Sequence, residues 1–226
     1  IVYYKNAPMS FVEEVESSAE EYYQSINKDM GLTRYGSWSW DNRALIYIYD
    51  NSEDYVNGSN VAGWSHGVAS IRSKKISTFP AAHGFFDSTL PHELGHIIFR
   101  EFVGFDARIP VWFEEGFAMY QEKAKRWGAD DDVKKAIENG TFMTVQELTH
   151  FVPRKKTDID LVYVFYSESA SLVNFLINEF GQQKFIRLCK QIKSKKSFAR
   201  AFEATYFQIK TMEHLNKKWL EYLESK

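Results

Sequence analysis

The chain has 226 residues, which suits one large domain or two small lobes around a shared core. Hydrophobic residues make up 44% and charged residues 26%, as in ordinary water-soluble globular proteins. The net charge of −2 gives no electrostatic reason to expect a nucleic-acid partner. The single cysteine, Cys189, excludes an internal disulfide and a cysteine-based zinc site. No apolar run approaches the roughly 18 residues of a membrane span, so we expect none in this chain.

The first part of the chain alternates helical and strand patterns. Apolar residues fall on one helical stripe between Ser10, a plausible N-cap, and Gly31, a plausible stop. The predicted elements are a helix over 10–29, a strand over 44–50, a loop over 51–60 with a turn at Asn57–Gly58, and one or two strands over 66–79.

From Ser88 the pattern is helical almost to the end. The predicted helices cover 89–103, 110–127, 130–140, 144–151, 166–181, 182–193, 197–206 and 211–224. The fold class expected is therefore α+β, in a single domain over 1–226. We expect an N-terminal α/β lobe of about 1–104, with a small sheet, and an all-helical lobe of about 105–226.

One short pattern carries metal chemistry, in the segment "TLPHELGHIIFREF" at 89–102. On a helix, His92 and His96 lie one turn apart on the same face and can reach one tetrahedral ion. Glu93 lies beside them, where it can take the proton of a water held by zinc. The alternative is a solvent-facing helix. It fits poorly, because the neighbours of the pair are apolar: Leu90, Leu94, Ile97, Ile98 and Phe99.

A catalytic zinc needs a third protein ligand and an open position. Glu115 lies 19 positions after His96, beyond a loop that can turn the chain back. Gly116 and Ala118 are small, which allows a close approach between helices. Glu114 competes for the role, about 100° around the same helix. Spacing alone leaves both glutamates open.

The sequences HELGH at 92–96 and WFEEGFA at 112–118 together resemble the gluzincin clan of zinc metallopeptidases, in particular its peptidase MA-like group. In that group a W-F/L-x-E-G-x-A segment follows the HExxH motif and its glutamate is the third ligand. The resemblance therefore implies Glu115 rather than Glu114. Weaker likenesses in the flanking segments extend it over most of 44–224.

The resemblance implies a mechanism and a place for it. One Zn²⁺ would be held by His92, His96 and Glu115, and Glu93 would be the catalytic base that activates a zinc-bound water to hydrolyse a peptide bond. The active-site cleft would lie between the two lobes. No further cofactor-binding residue is implied.

Two further roles follow from the same resemblance. Tyr166, expected at the start of its helix, matches a tyrosine that donates a hydrogen bond to the oxyanion. Tyr163, one turn away, is the rival donor, and a plain core tyrosine is the structural alternative. Residues 67–72, "GVASIR", would form an edge strand that pairs with an extended substrate. An internal strand is equally compatible with that pattern.

The sequence departs from the thermolysin-like members of the clan at one position. Those enzymes carry an aspartate four residues after the ligand glutamate, where it supports a zinc-binding histidine. Here that residue is Met119. The support would have to come from Glu114, from Asp87 or from a backbone carbonyl. The chain also lacks the G-x-M-E-N segment of exopeptidases in the clan, so we expect an endopeptidase.

The expected protein is thus a monomeric zinc endopeptidase that acts on a peptide or protein substrate. The chain begins at Ile1, which is typical of a trimmed or mature fragment, and the family leans towards an extracytoplasmic or secreted location. The main alternative is a catalytically inactive, zinc-stabilised gluzincin-like module that binds a peptide or surface partner. The presence of Glu93 counts against it. A purely structural helical protein without metal is the other alternative.

Overall fold

The computed structural model describes residues 1–29, 31, 43–59, 67–80, 82–154 and 156–226, with backbone only at 123–127. Its contacts divide the chain into two compact units, Ile1–Arg100 and Glu101–Lys226. The sheet lies in the first unit, and every regular element that begins in the second is a helix. The α+β class is therefore confirmed. That the chain forms one domain with an active-site cleft between its lobes stays a prediction.

The first unit combines a small sheet with three helices in its described part. Its elements are β1 (Val2–Tyr4), α1 (Met9–Asp29), β2 (Leu45–Ile48), α2 (Ser52–Ser59), β3 (Val68–Ser70), β4 (Lys75–Thr78), a π-helical turn at Phe85–Thr89, and α3 (Leu90–Val103), which continues into the second unit. The strand order is β1-β2-β4-β3. Strand β2 runs parallel to β1 and β4, whereas β3 is antiparallel to β4 at the edge of the sheet.

Helix α2 replaces the loop predicted over 51–60, of which residue 60 lies outside the described part. The side chain of Asn51 accepts a hydrogen bond of 2.9 Å from the backbone N–H of Asp54, which caps the helix start. Tyr55 is fully buried and packs on Tyr49 and Phe79. Gly58 is not a turn residue: a Cβ there would lie 2.9 Å from the Tyr49 hydroxyl oxygen, so glycine allows a close approach. The capping and packing outweighed the turn signal.

Strand β1 was not predicted from the sequence, whereas strands were found where they were predicted, within 66–79. Strand β1 is three residues long and two of them are exposed tyrosines, so it has no buried alternation that would mark it in the sequence. The strand region predicted over 66–79 is a β-hairpin made of β3 and β4. Residue 66 at its start lies outside the described residues.

The second unit is organised around one long buried helix. Its elements are α4 (Val111–Gln121), α5 (Lys123–Glu138), α6 (Val145–His150), α7 (Ile159–Phe180), α8 (Gln182–Lys193), α9 (Phe198–Thr205) and α10 (Met212–Glu224). Helix α7 packs against α4, α5, α8 and α10. No helix in the described parts of the chain is long and apolar enough to cross a membrane.

Three helix boundaries differ from the prediction. The helix predicted over 110–127 is interrupted at Glu122, whose backbone is extended. The separate helix predicted over 130–140 starts earlier, because α5 begins at Lys123 and runs to Glu138. Helix α7 begins at Ile159, seven residues before the predicted start, because the Asp158 carboxylate accepts hydrogen bonds from the N–H groups of Asp160 and Leu161. Tyr166 therefore lies two turns inside the helix. Its predicted position at the helix start was wrong.

Candidate metal centre

The two histidines of α3 converge on each other. Their Nε2 atoms are 3.1 Å apart, and their rings cross at 78°. Two nitrogens bound tetrahedrally to one zinc, each at about 2.0–2.1 Å, are roughly 3.3 Å apart. Two neutral imidazoles sharing one hydrogen bond would give a similar distance. The pair thus presents two nitrogens at a separation that one zinc ion requires.

The packing of α3 explains how the side chains of His92, Glu93 and His96 are held in place. Leu90, Leu94, Ile97, Ile98 and Phe99 are all fully or almost fully buried. His96 is 6% exposed, and His92 and Glu93 are half-buried. A solvent-facing helix would have left this stretch open, so that alternative is wrong. Glu93 lies in the first turn of α3, where the helix dipole favours a carboxylate.

The edge of the sheet comes close to the start of α3 within the first unit. A Cβ at Gly67, just before β3, would lie 2.5 Å from Cγ2 of Thr89, and Thr89 is the residue before α3. Glycine at 67 therefore lets the strand approach the helix end. Strand β3 has β4 on one side and is the last strand of the sheet among the described residues. The structure thus places the predicted edge strand at an edge.

The two candidate glutamates lie in α4 of the second unit. Glu114 is buried at 9% exposure, whereas Glu115 is half-buried. Trp112 and Phe113, three and two residues before Glu115, are fully buried against Phe198. The aromatic face of α4 is therefore core.

The position of the expected aspartate is apolar. Met119 is 5% exposed and forms a buried cluster with Ala129 and Ala170, against which Tyr166 packs. An aspartate there would lose its hydration among carbon atoms. Of the other candidate supports, Asp87 is exposed in the π-helical turn before α3.

The two candidate tyrosines differ in their surroundings. Tyr166 is half-buried and lies edge-on to Phe165. Tyr163 is 58% exposed and its hydroxyl donates a 2.6 Å hydrogen bond to Oδ2 of Asp132, which raises the pKa of Tyr163. A hydroxyl already donated to a carboxylate is a poorer donor to a substrate. The hydrogen bond to Asp132 counts against Tyr163, and the assignment of the donor to Tyr166 stays a prediction.

The sequence did not indicate that Glu168 is buried. Glu168 in α7 is fully buried, and its Oε1 accepts a 2.8 Å hydrogen bond from the backbone N–H of Met143. Its Oε2 has no hydrogen-bond partner in the described part of the chain. Burial raises the pKa of Glu168 to about 8. The run of small polar residues around it, Ser167, Ser169 and Ser171, resembles an exposed face and hides this burial.

Comparison with known families identifies most of the chain. Residues 33–225 match the family model described as the peptidase MA superfamily. The matched range contains α3, α4 and α7, and so every predicted site residue. The resemblance drawn from HELGH and WFEEGFA is thereby confirmed at the level of the superfamily. No curated protein matches the chain.

Proposed function

Because the chain belongs to the peptidase MA superfamily, we propose that it is a zinc-dependent metallopeptidase that hydrolyses peptide bonds internal to a protein or peptide chain. The observation that carries the proposal is the 3.1 Å separation of the Nε2 atoms of His92 and His96. Glu93, between them in sequence, is the residue that hydrolysis needs and that a purely structural metal site does not need.

The proposed ligands of one Zn²⁺ are His92, His96 and Glu115. Together they would offer two imidazole nitrogens from α3 and one carboxylate oxygen from α4 to one metal ion. Two histidines and a glutamate are a donor set of catalytic zinc sites, which keep one position open. Glu115 is preferred to Glu114 because it matches the third ligand in the W-F/L-x-E-G-x-A segment and is the less buried of the two.

Residues of this chain can then be assigned to the proton transfers and to the stabilisation of the developing negative charge. Zinc, when bound, would supply a Lewis acid that polarises the peptide carbonyl and acidifies water. Glu93 takes a proton from water as the new C–O bond forms, and gives it to the departing amine nitrogen as the C–N bond breaks. Tyr166 donates a hydrogen bond to the carbonyl oxygen while negative charge develops there.

The edge strand gives the substrate backbone a place to bind. An extended peptide can pair by backbone hydrogen bonds with the side of β3 that has no neighbouring strand among the described residues, and such pairing tolerates many peptide sequences. The close approach of Gly67 to Thr89 puts that strand beside the helix that carries His92 and Glu93. Backbone pairing there would hold the scissile bond in an extended form.

Metal content and one conservative variant test the proposal together. Protein purified without chelator is expected to hold about one zinc per chain, measured by elemental mass spectrometry. The wild type should cleave a mixed peptide library, and Glu93→Gln should keep the metal and lose cleavage. Zinc below about half an equivalent would refute the metal site. Zinc without cleavage in the wild type would favour the inactive binding module.

A further inference from the structure

A groove between α5 and the start of α7 has no role in the proposed chemistry. It encloses about 530 Å³ in the second unit. Its walls are mostly apolar, formed by Val133 and Ala136 of α5 and by Leu161 and Val164 of α7. None of the proposed zinc ligands lines it. We refer to the space between these four side chains as the α5–α7 groove.

Apolar side chains on the same two helices are exposed to solvent. Ile159, the first residue of α7, is 81% exposed, and Tyr163 and Ile137 are 58% and 41% exposed. An isolated exposed apolar residue needs no explanation, but Tyr163 lines the groove, and Ile137 and Ile159 are each adjacent in sequence to residues that line it, which indicates a binding surface. The occupant should therefore bring an apolar side chain of its own.

The charged residues that line the groove indicate whether its occupant should be positively or negatively charged. Three carboxylates and one ammonium line it: Asp132, Asp158, Asp160 and Lys135. Lys135 lies 3.1 Å from Asp132, so these two charges offset each other. Asp158 and Asp160 remain, and both are exposed. The groove is left with a local excess of negative charge.

An anion is disfavoured there for a second reason. The start of a helix attracts anions through its unpaired N–H groups. Here the Asp158 carboxylate already accepts from the N–H groups of Asp160 and Leu161, at 2.9 Å and 3.4 Å. The carboxylate of Asp158 therefore already occupies the anion site at the helix start. A cationic occupant is complementary to the negative charges of Asp158 and Asp160.

The groove begins close to the residue assigned to the substrate. Tyr163 lines the groove and lies three residues before Tyr166, so both are on one face of α7. Tyr166 in turn packs against the cluster of Met119, Ala129 and Ala170, and Met119 lies one turn after Glu115 in α4. All of these contacts are within the second unit.

We propose that the α5–α7 groove binds a segment of the peptide substrate in which an aliphatic side chain is flanked by lysine or arginine. The aliphatic side chain lies against Val133, Ala136, Leu161 and Val164, and the basic side chains face Asp158 and Asp160. This deepens the proposed function and rests on it for the identity of the occupant as substrate. The groove then sets a preference for basic segments a few residues away from the cleaved bond.

Direct binding tests the groove without requiring turnover. Zinc-loaded Glu93→Gln protein is titrated into a fluorescein-labelled peptide with a central leucine flanked by lysines, and into its twin with glutamates in place of the lysines. Fluorescence anisotropy should show binding of the lysine peptide, weakened by salt, and much weaker binding of the glutamate twin. Equal affinity for the two peptides overturns the proposal.

Charge removal at the groove has a matched control. Asp158→Asn with Asp160→Asn removes two negative charges, and asparagine preserves the helix cap. The lysine peptide should bind about fivefold more weakly to this variant. Glu179→Gln with Glu203→Gln removes two exposed charges from elsewhere in the same unit and should change nothing. Ile159→Ser, at an exposed site, should also weaken binding. Unchanged affinity in the Asp158/Asp160 variant overturns the proposal.

Hydrolysis separates the failure of this inference from the failure of the proposed function. In an active enzyme, the Asp158/Asp160 variant should raise KM for a lysine-flanked substrate and leave kcat unchanged. Cleavage without any preference for basic segments rejects the groove alone. A wild type without zinc and without cleavage rejects the proposed function, and the anisotropy comparison still decides whether the groove binds a basic segment.

Discussion

Gly116 of α4 lies directly on the backbone of Ser169 in α7. A Cβ added at Gly116 would be 2.8 Å from the carbonyl carbon of Ser169 and 2.7 Å from Cγ2 of Val173, nearer than real side chains come. Helix α4 can approach α7 this closely only with glycine at this position. The contact fixes Glu115, the neighbour of Gly116, relative to Tyr166 on α7. The small residue in the E-G-x-A segment is thus a packing requirement.

Replacing Gly116 by alanine should destabilise the protein even though alanine favours helix. The methyl group would push against backbone, which cannot move aside cheaply, so we expect a loss of about 1–3 kcal/mol in the free energy of unfolding. Gly128→Ala is the matched control, since a Cβ there has nothing within 4 Å and alanine should stabilise α5 by up to about 1 kcal/mol. Urea unfolding measures both. A stabilised Gly116→Ala would refute the close packing.

The choice between neighbouring glutamates predicts unequal effects on zinc. Glu115→Gln should weaken zinc binding at least about tenfold, because an amide oxygen is a poor substitute for a carboxylate ligand. Glu114→Gln changes a side chain that at most supports a zinc-binding histidine, so it should retain zinc and weaken binding less than Glu115→Gln does. Competition against a chromophoric chelator gives both affinities. The opposite ranking would move the third ligand to Glu114.

Removing the hydroxyl from Tyr166 should lower kcat much more than removing it from Tyr163. Tyr166→Phe keeps the ring that packs against the cluster of Met119, Ala129 and Ala170 and removes only the hydroxyl, so stability should hold while kcat falls by about a hundredfold. Tyr163→Phe frees Asp132 of one hydrogen bond and should leave kcat within a few-fold of the wild type. Steady-state kinetics on one peptide substrate compares them. A larger loss of kcat in Tyr163→Phe would exchange their roles.

Strongly periodic apolar stretches were readable from the sequence, and non-local effects were not. Helix α3 was predicted over 89–103 and found over Leu90–Val103, because its buried residues recur at helical spacing. The early start of α7 was missed because Ile159 and Tyr163 are apolar but exposed, and so mark no buried face. The break at Glu122 carries no glycine or proline that would have signalled it.

The same distinction applies to the site. The histidine pair is local to one helix, so its spacing alone placed the two Nε2 atoms together. The apolar pocket around Met119 depends on Ala129 and Ala170 from two other helices, and no local pattern shows it. The hydrogen bond that Glu168 accepts comes likewise from a distant residue, since the N–H donor belongs to Met143, 25 positions away.

Glu168 should give the stability of this protein a pH dependence of unusual sign. Its pKa is about 8 when folded against an ordinary value of 4.5, because burial disfavours the carboxylate. Between these values the unfolded chain has released the proton and the folded chain still holds it. Rising pH therefore favours unfolding, by up to about 1.4 kcal/mol per pH unit, and the effect levels off above pH 8.

Glu168→Gln isolates this contribution. Glutamine keeps an oxygen that accepts from the Met143 N–H and cannot ionise, so the stability of the wild type relative to the variant should fall as pH rises from about 4.5 to about 8. Urea unfolding at several pH values measures the difference. The protein should be free of zinc, so that metal release does not add its own pH dependence to the free energy of unfolding. Glu203→Gln, at an exposed position, is the control for the loss of one carboxylate. A difference between wild type and Glu168→Gln that stays flat with pH would mean that the folded protein holds Glu168 ionised, and that Oε2 has found a cation or a water to solvate it.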